Sequence, residues 1–202
     1  MTDIDRRDFV RRTAVMGAAL TVPLPPSAFG NQLAVAPPTP RPATFELDEI
    51  TIVQLQDDMR SGKRTARSIA EAYLARIGEI DGAGPRLNSV IETNPDALAI
   101  ADGLDRERRA GRVRGPLHGI PVLIKDNIDT ADRMKTSAGS LALANVGAPR
   151  DALLVKGLRA FGAVIIGKTN LSEWANFRST KSVSGWSARG GLTRNPYALD
   201  RN

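Results

Sequence analysis

From Thr51 onward the apolar positions alternate between a helical and a strand rhythm, and residues that start or stop such elements mark the changes. Thr51 and Gln54 have capping-box spacing, which predicts a helix through about Arg60 with Ile52, Leu55 and Met59 inward and a Ser61-Gly62 stop. Thr65 opens a second helix, whose Ile69, Tyr73 and Ile77 recur every four residues until Gly78 to Pro85 ends it. Residues 87–92, LNSVIE, predict a short strand. Asn94-Pro95 starts a helix running to about Ala110, with Gly111 past its end. In GPLHGIPVLIKDNIDT (115–130), Val122, Leu123 and Ile124 form an apolar run that ends on Lys125. Residues 151–161 predict an amphipathic helix with Leu154, Val155, Leu158 and Phe161 on one face and Gly162 as terminator. The β-branched run Ala163–Ile166 then predicts a buried strand closed by a GKTN turn, and Asn170 with Glu173 matches a capping box for a short helix, LSEWANF. Helices and short strands in this order predict an α/β fold.

Residues Gly162–Thr169 also satisfy the phosphate-loop pattern GxxxxGK[ST]. A phosphate loop needs its four middle residues free to curl their amides around an anion. Here those residues are Ala163, Val164, Ile165 and Ile166, which favour a strand. An ordinary helix-strand passage fits better than a nucleotide site.

Composition narrows the chemistry. At 42% hydrophobic and 25% charged, the 202-residue chain has globular composition. Its net charge of +6 raises a nucleic-acid reading, but the basic residues are dispersed. The densest stretch in the body of the chain, RERRAGRVR at 106–114, has no interleaved aromatics on which bases could stack. A solvated helix end explains it better, and no nucleic-acid partner is expected. There is no Cys, so disulfides, thiolate metal sites and a Cys nucleophile are excluded. His118 is the one His, which rules out a multi-histidine metal centre and is read as a packed residue at a strand entry. GWSARG at 185–190 has Arg189 where a GxSxG nucleophile elbow needs its second Gly. No metal, nucleotide or organic cofactor is implied.

The first 30 residues read as an address. Arg6-Arg7 followed by Asp8-Phe9 precedes a weakly apolar stretch, about Thr13 to Leu24, too short to span a bilayer. This has the form of a twin-arginine export signal, with the export machinery as partner and the periplasm or exterior as destination. Cleavage after Gly30 is compatible with the sequence, though the site is not sharp and retention stays open; no stable membrane span is expected after processing. Residues 31–44 are Pro-rich and read as an extended linker, which leaves 45–202 as the folded domain.

Lys125 is the candidate catalytic residue. Ligands of open α/β sheets gather at the carboxyl ends of strands, where Lys125 stands. A Lys hemmed in by apolar groups there would lose solvation, which disfavours its charged form and suits it to act as a general base. On these residues alone a snorkelling Lys paired with Asp126 or Asp129 is the favoured reading.

Three blocks extend the picture: GRVRGPLHGIPVLIKDNIDT, then TSAGS at 136–140, then GAVIIGKTNLSEWANF with TRNPY at 193–197. In order and spacing they resemble the amidase signature family, and the resemblance runs from about residue 45 to 202. It implies the N-terminal portion of that family's fold, a mixed β-sheet surrounded by helices. It also implies amide hydrolysis by a Ser-Ser-Lys triad, in which Lys125 matches the general base acting through a bridging Ser on the nucleophilic Ser. Lys168 matches a position read as structural. Around TRNPY the sequence resembles peptide amidases, which remove a C-terminal amide, more than it resembles the family's glutamyl-tRNA amidotransferase members.

In that family a Gly/Ser-rich segment carrying both serines follows the TRNPY anchor, and residues 1–202 contain no match to it. Ser137, Ser140, Ser172, Ser179, Ser182, Ser184 and Ser187 lie outside it, so the resemblance transfers no nucleophile to them. The expectation is a truncated domain, inactive alone, with strand edges and apolar faces left open and a tendency to aggregate. A non-catalytic interaction module with RERRAGRVR as its basic face is the competing interpretation, followed by the nucleotide site at GAVIIGKT.

Overall fold

A computed structural model describes residues 44–177 and 179–199. The segment read as an export signal (1–30) and nearly all of the stretch read as a linker (31–44) lie outside the described residues. Helix α1, Ile52–Ser61, starts at Thr51 through a complete capping box with Gln54. Helix α2, Ala66–Arg76, does the same through Thr65 and Ser68, then loosens into a π-helical turn, Ile77–Gly82. These boxes satisfy amide groups that the first helical turn would otherwise leave unpaired. Strand β1 (Val90–Thr93), helix α3 (Ala97–Arg109), strand β2 (Pro121–Lys125), helix α4 (Leu153–Ala160) and strand β3 (Val164–Thr169) complete the body of the fold. A small hairpin of β4 (Trp186–Ser187) and β5 (Gly191–Leu192) follows.

The sheet has the order β1-β3-β2, with β3 antiparallel to β1 and parallel to β2. It is therefore mixed, as expected. Strand β3 is central and buried on both faces, which explains its unbroken Ala-Val-Ile-Ile run. Val164 and Ile166 face a core built by Leu55, Met59, Ile69, Ala101 and Leu104 of α1, α2 and α3. Ile165 faces the other way, into a smaller core with Ile124, Met134 and Val155 of α4.

Three inward assignments fail. Ile52, Leu154 and Phe161 are exposed, because α1 and α4 contact the described core mainly through Leu55 and Met59, and through Val155 and half-buried Leu158. The GKT residues, assigned to a turn, are the last three residues of β3, and Val164–Thr169 pairs with both neighbours. No loop of unpaired amides exists there to hold a phosphate.

His118 is fully buried beside this sheet. Its Nδ1 accepts the Arg114 amide at 3.3 Å, so Nε2 carries the proton toward the Leu104 carbonyl, 3.0 Å away. Gly162 sits at φ +80°, and a Cβ there would come within 2.9 Å of His118 Nδ1. The close approach requires glycine. Burial, reinforced by Arg108 and Arg114, holds the imidazole below its usual range although the Leu104 bond opposes the shift. The folded chain thus resists a proton that the unfolded chain accepts once pH drops below the ordinary His value. Stability should be unaffected by this group above that value and should decline as pH falls toward the lower, folded-state one. Urea midpoints at pH 7.5 and 5.5 should differ in that sense, and His118→Gln should flatten the difference.

Candidate functional site

Strand β2 delivers Lys125 to its carboxyl end, in register with Thr169 of β3. The ladder extends one residue further, since the Asp126 amide donates to the Thr169 carbonyl at 3.1 Å. A turn follows immediately, closed by the Ile128 amide on the Lys125 carbonyl at 2.9 Å. The position is the one expected, but the environment differs. Lys125 is exposed rather than hemmed in, because β2 is an outer strand of the described sheet and Lys125 is its last residue.

Asp126 is fully buried, and its carboxylate does not serve Lys125. One oxygen, Oδ2, accepts Ser137 Oγ at 2.5 Å and the Gly139 amide at 3.0 Å. The other, Oδ1, lies 3.4 Å from Arg189 Nη1. The second nitrogen of the same guanidinium, Nη2, forms a short ion pair with Glu92 of β1. Gly139, at φ +77°, also lies tight against the hairpin: a Cβ there would come within 2.5 Å of Ser187 Cβ. Arg189, noted in the sequence only for spoiling a nucleophile elbow, is thus part of a partly buried charge cluster next to Lys125.

The buried lysine is Lys168. Its Nζ donates to the Ile128 carbonyl at 2.6 Å and to Thr136 Oγ1 at 3.0 Å, tying the loop after β2 to the central strand. Burial pushes its pKa below the usual lysine value, against the attraction of Asp126, Asp132, Glu92 and Asp129. Simple alternation would place Lys168 on the side of Val164 and Ile166. However, Val122 pairs with Ile165 and Leu123 with Gly167, so Ile166 is an extra residue and the strand bulges there. A bulge re-aims the side chains beyond it. Lys168 therefore pairs with Ile124, on the Ile165 side.

The capping box expected at Asn170 and Glu173 does not form. Asn170 Nδ2 donates to the carbonyls of Asn88 and Gly191, and to Thr193 Oγ1, while Glu173 accepts the Ala188 amide at 2.7 Å. Both side chains hold the β4-β5 hairpin instead of starting a helix. The LSEWANF segment forms only a short 3-10 turn, Glu173–Asn176, in which Trp174 and Ala175 take left-handed backbone angles.

Beyond Lys125, Asn127, Asp129, Thr136 and Ala138 share a cleft of about 390 Å³ with Leu143, Leu171, Trp174 and Ala175. A larger groove of about 680 Å³ lies elsewhere, between α1 and the segment that enters β2, around Gln56, Arg108 and Pro116. The smaller cleft belongs to the carboxyl side of β2 and β3, where a sheet of this type binds ligands. Several serines are already engaged: Ser137 with Asp126, Ser187 with Asn170, Ser140 with the Ala142 amide and Ser172 with the Gly185 amide. The basic run at 106–114 is not a uniform cationic face, since Arg108 turns in to Gln56 and the His118 carbonyl and Arg114 pairs with Glu107. Among the described residues, no group of three or more acidic, His or Cys side chains could hold a metal, and no helix is long and apolar enough to cross a membrane.

Comparison with known proteins bears on this geometry directly. Residues 68–202 match the model of the Amidase family. The crystal structure of native peptide amidase from Stenotrophomonas maltophilia superposes with a TM-score of 0.75 at 58% identity, covering 77% of this chain and 32% of that one. A probable amidase of Arabidopsis thaliana is 47% identical over 162 residues, 79% of this chain and 31% of its own length. A glutamyl-tRNA(Gln) amidotransferase polypeptide of Thermobifida fusca (strain YX) is 39% identical over 157 residues, 77% of this chain and 30% of its own. The chain thus spans less than a third of the length of each of these three proteins.

Proposed function

The chain belongs to the amidase signature family, and from that premise we propose that the whole protein hydrolyses carboxamides, with Lys125 as its general base. The observation that carries this is the place of Lys125: the last residue of β2, opposite Thr169, at the carboxyl end where the strand turns away. In the proposed mechanism the amine of Lys125 takes a proton from a bridging serine hydroxyl. That hydroxyl takes one in turn from the serine that attacks the amide carbonyl. The proton then returns to the leaving nitrogen, which departs as ammonia, and water releases the acyl group. Neither role is assigned to a serine among residues 1–202, and on this reading residues 1–202 alone would not turn over.

A peptide carrying a C-terminal amide is the substrate we favour. The support is the 58% identity to a peptide amidase against 39% to an amidotransferase. Ammonia release from a panel of peptide amides, aliphatic amides and glutamine tests it. Peptide amides should have the highest kcat/KM, and a preference for glutamine would overturn the choice. We further propose export through the twin-arginine route, on the strength of Arg6-Arg7 and the weakly apolar stretch behind them. Changing both arginines to lysine should leave the protein in the cytoplasm. Unchanged export of that variant would remove the assignment.

A further inference from the structure

We infer that Arg189 is a positioning residue, which sets the Lys125 turn against the segment leaving the β4-β5 hairpin; this rests on Lys125 being the base. The geometry starts from Asp126, the residue next to Lys125. Its side chain is fully buried, and both carboxylate oxygens are occupied by Ser137, Gly139 and Arg189. On its backbone, the amide bonds to Thr169 and the carbonyl accepts the amides of Ser137 and Ala138. The peptide that carries Lys125 into its turn is therefore held on every side. Arg189 is the component that reaches furthest.

From a position outside the three-stranded sheet, its one guanidinium spans Glu92 on β1 and Asp126 beyond β2, the two strands that flank β3. All three side chains are largely shielded from water, Asp126 completely. In such surroundings the short Arg189–Glu92 pair is a strong bond, and the Asp126 contact, at 3.4 Å, is a longer electrostatic one. The same residue is anchored through its backbone, its amide donating to the Gly139 carbonyl at 2.9 Å. The chain that follows is pinned in turn, by Asn170 to Gly191 and Thr193, and by the Arg194 amide to the Leu87 carbonyl at 2.8 Å. Thr193 opens the TRNPY block, after which the proposed mechanism needs its serines. Arg189 is thus the link between the base and the chain that leads to its hydroxyl partners. A bridge between a carboxylate on β1 and one just past β2 requires the planar fork of an arginine, and a lysine ammonium cannot reproduce it.

The test uses the whole protein and a peptide amide. Arg189→Lys, and separately Glu92→Gln, should lower kcat by about 10²-fold, the scale on which a misplacement of about 1 Å acts, while KM changes little. The same substitutions made on Lys125→Ala should cost nothing further against its residual rate, because the group they position is gone. Circular dichroism melts confirm that each variant is folded at the assay temperature. Where Arg189→Lys is not, Glu92→Gln carries the comparison. An equal loss with and without Lys125, a loss confined to KM, or no loss at all overturns the inference while leaving Lys125 as base. Full turnover by Lys125→Ala removes the base, and the role of Arg189 falls with it.

Discussion

Lys125→Ala in the whole protein should reduce ammonia release from a peptide amide by about 10²-fold or more, the scale of a lost proton-transfer group. In residues 1–202 the same substitution should barely change stability. Lys125 is exposed at a strand end, and truncating a surface side chain away from packing or buried bonds costs within about 0.5 kcal/mol. The unusual combination of a large kinetic effect with an unmoved melt is what separates a chemical role from a structural one. Lys125→Arg sharpens the test, because a guanidinium keeps the positive charge but cannot give up its proton in a protein. If Lys125 works as a base, Arg should be about as inactive as Ala. If its charge only steers or holds the substrate, Arg should retain most of the rate, and the base assignment would then be wrong. The buried Asp126 cluster beside it stays intact in both variants, since Asp126 bonds to Ser137, Gly139 and Arg189 and not to Lys125.

How much of this was legible in the sequence depends on whether the partners are near in the chain. Thr51 with Gln54 is a local device, and so is Thr65 as the cap of α2; both form where the spacing places them. The β-branched run before Gly167 reads as a buried strand and is one, and the apolar run Val122–Ile124 correctly carries Lys125 to a strand end. Asn170 with Glu173 has the same local spacing as a capping box, yet both side chains bind the distant hairpin and Asn88 instead. Local propensity lost there to partners that no window could contain. The bulge at Ile166 had a similar effect, because alternation cannot show an extra residue and so assigns Lys168 to the wrong face of the sheet. Arg189 meets Asp126 63 residues and Glu92 97 residues away in sequence, so nothing near it in the chain announces the cluster.

Lys168→Ala should be the most destabilising single change among the described side chains that line the sheet, at about 3–5 kcal/mol. Two losses combine. The first is a cavity where a long, fully buried side chain stood, and the second is the stranding of the Ile128 carbonyl and Thr136 hydroxyl that Nζ now satisfies. Against a typical domain stability of about 5–15 kcal/mol, this removes a large part. Lys168→Met separates the two, since it fills most of the volume but leaves the carbonyl unpaired, and it should fall between the parent and Ala. The charge enters with a definite sign. Burial lowers the folded-state pKa of Lys168 below its unfolded value, so in the interval between the two the unfolded chain binds more protons and the parent gains stability as pH rises. The Met variant should lack that rise. Differential melts of the three proteins measure all of this, and an Ala variant that melts with the parent would falsify the structural assignment of Lys168. Adding ATP to the same melts should protect none of them. The strand pairing of Val164–Thr169 leaves its amides committed to the sheet, and the Lys168 amine is buried and held by Ile128 and Thr136.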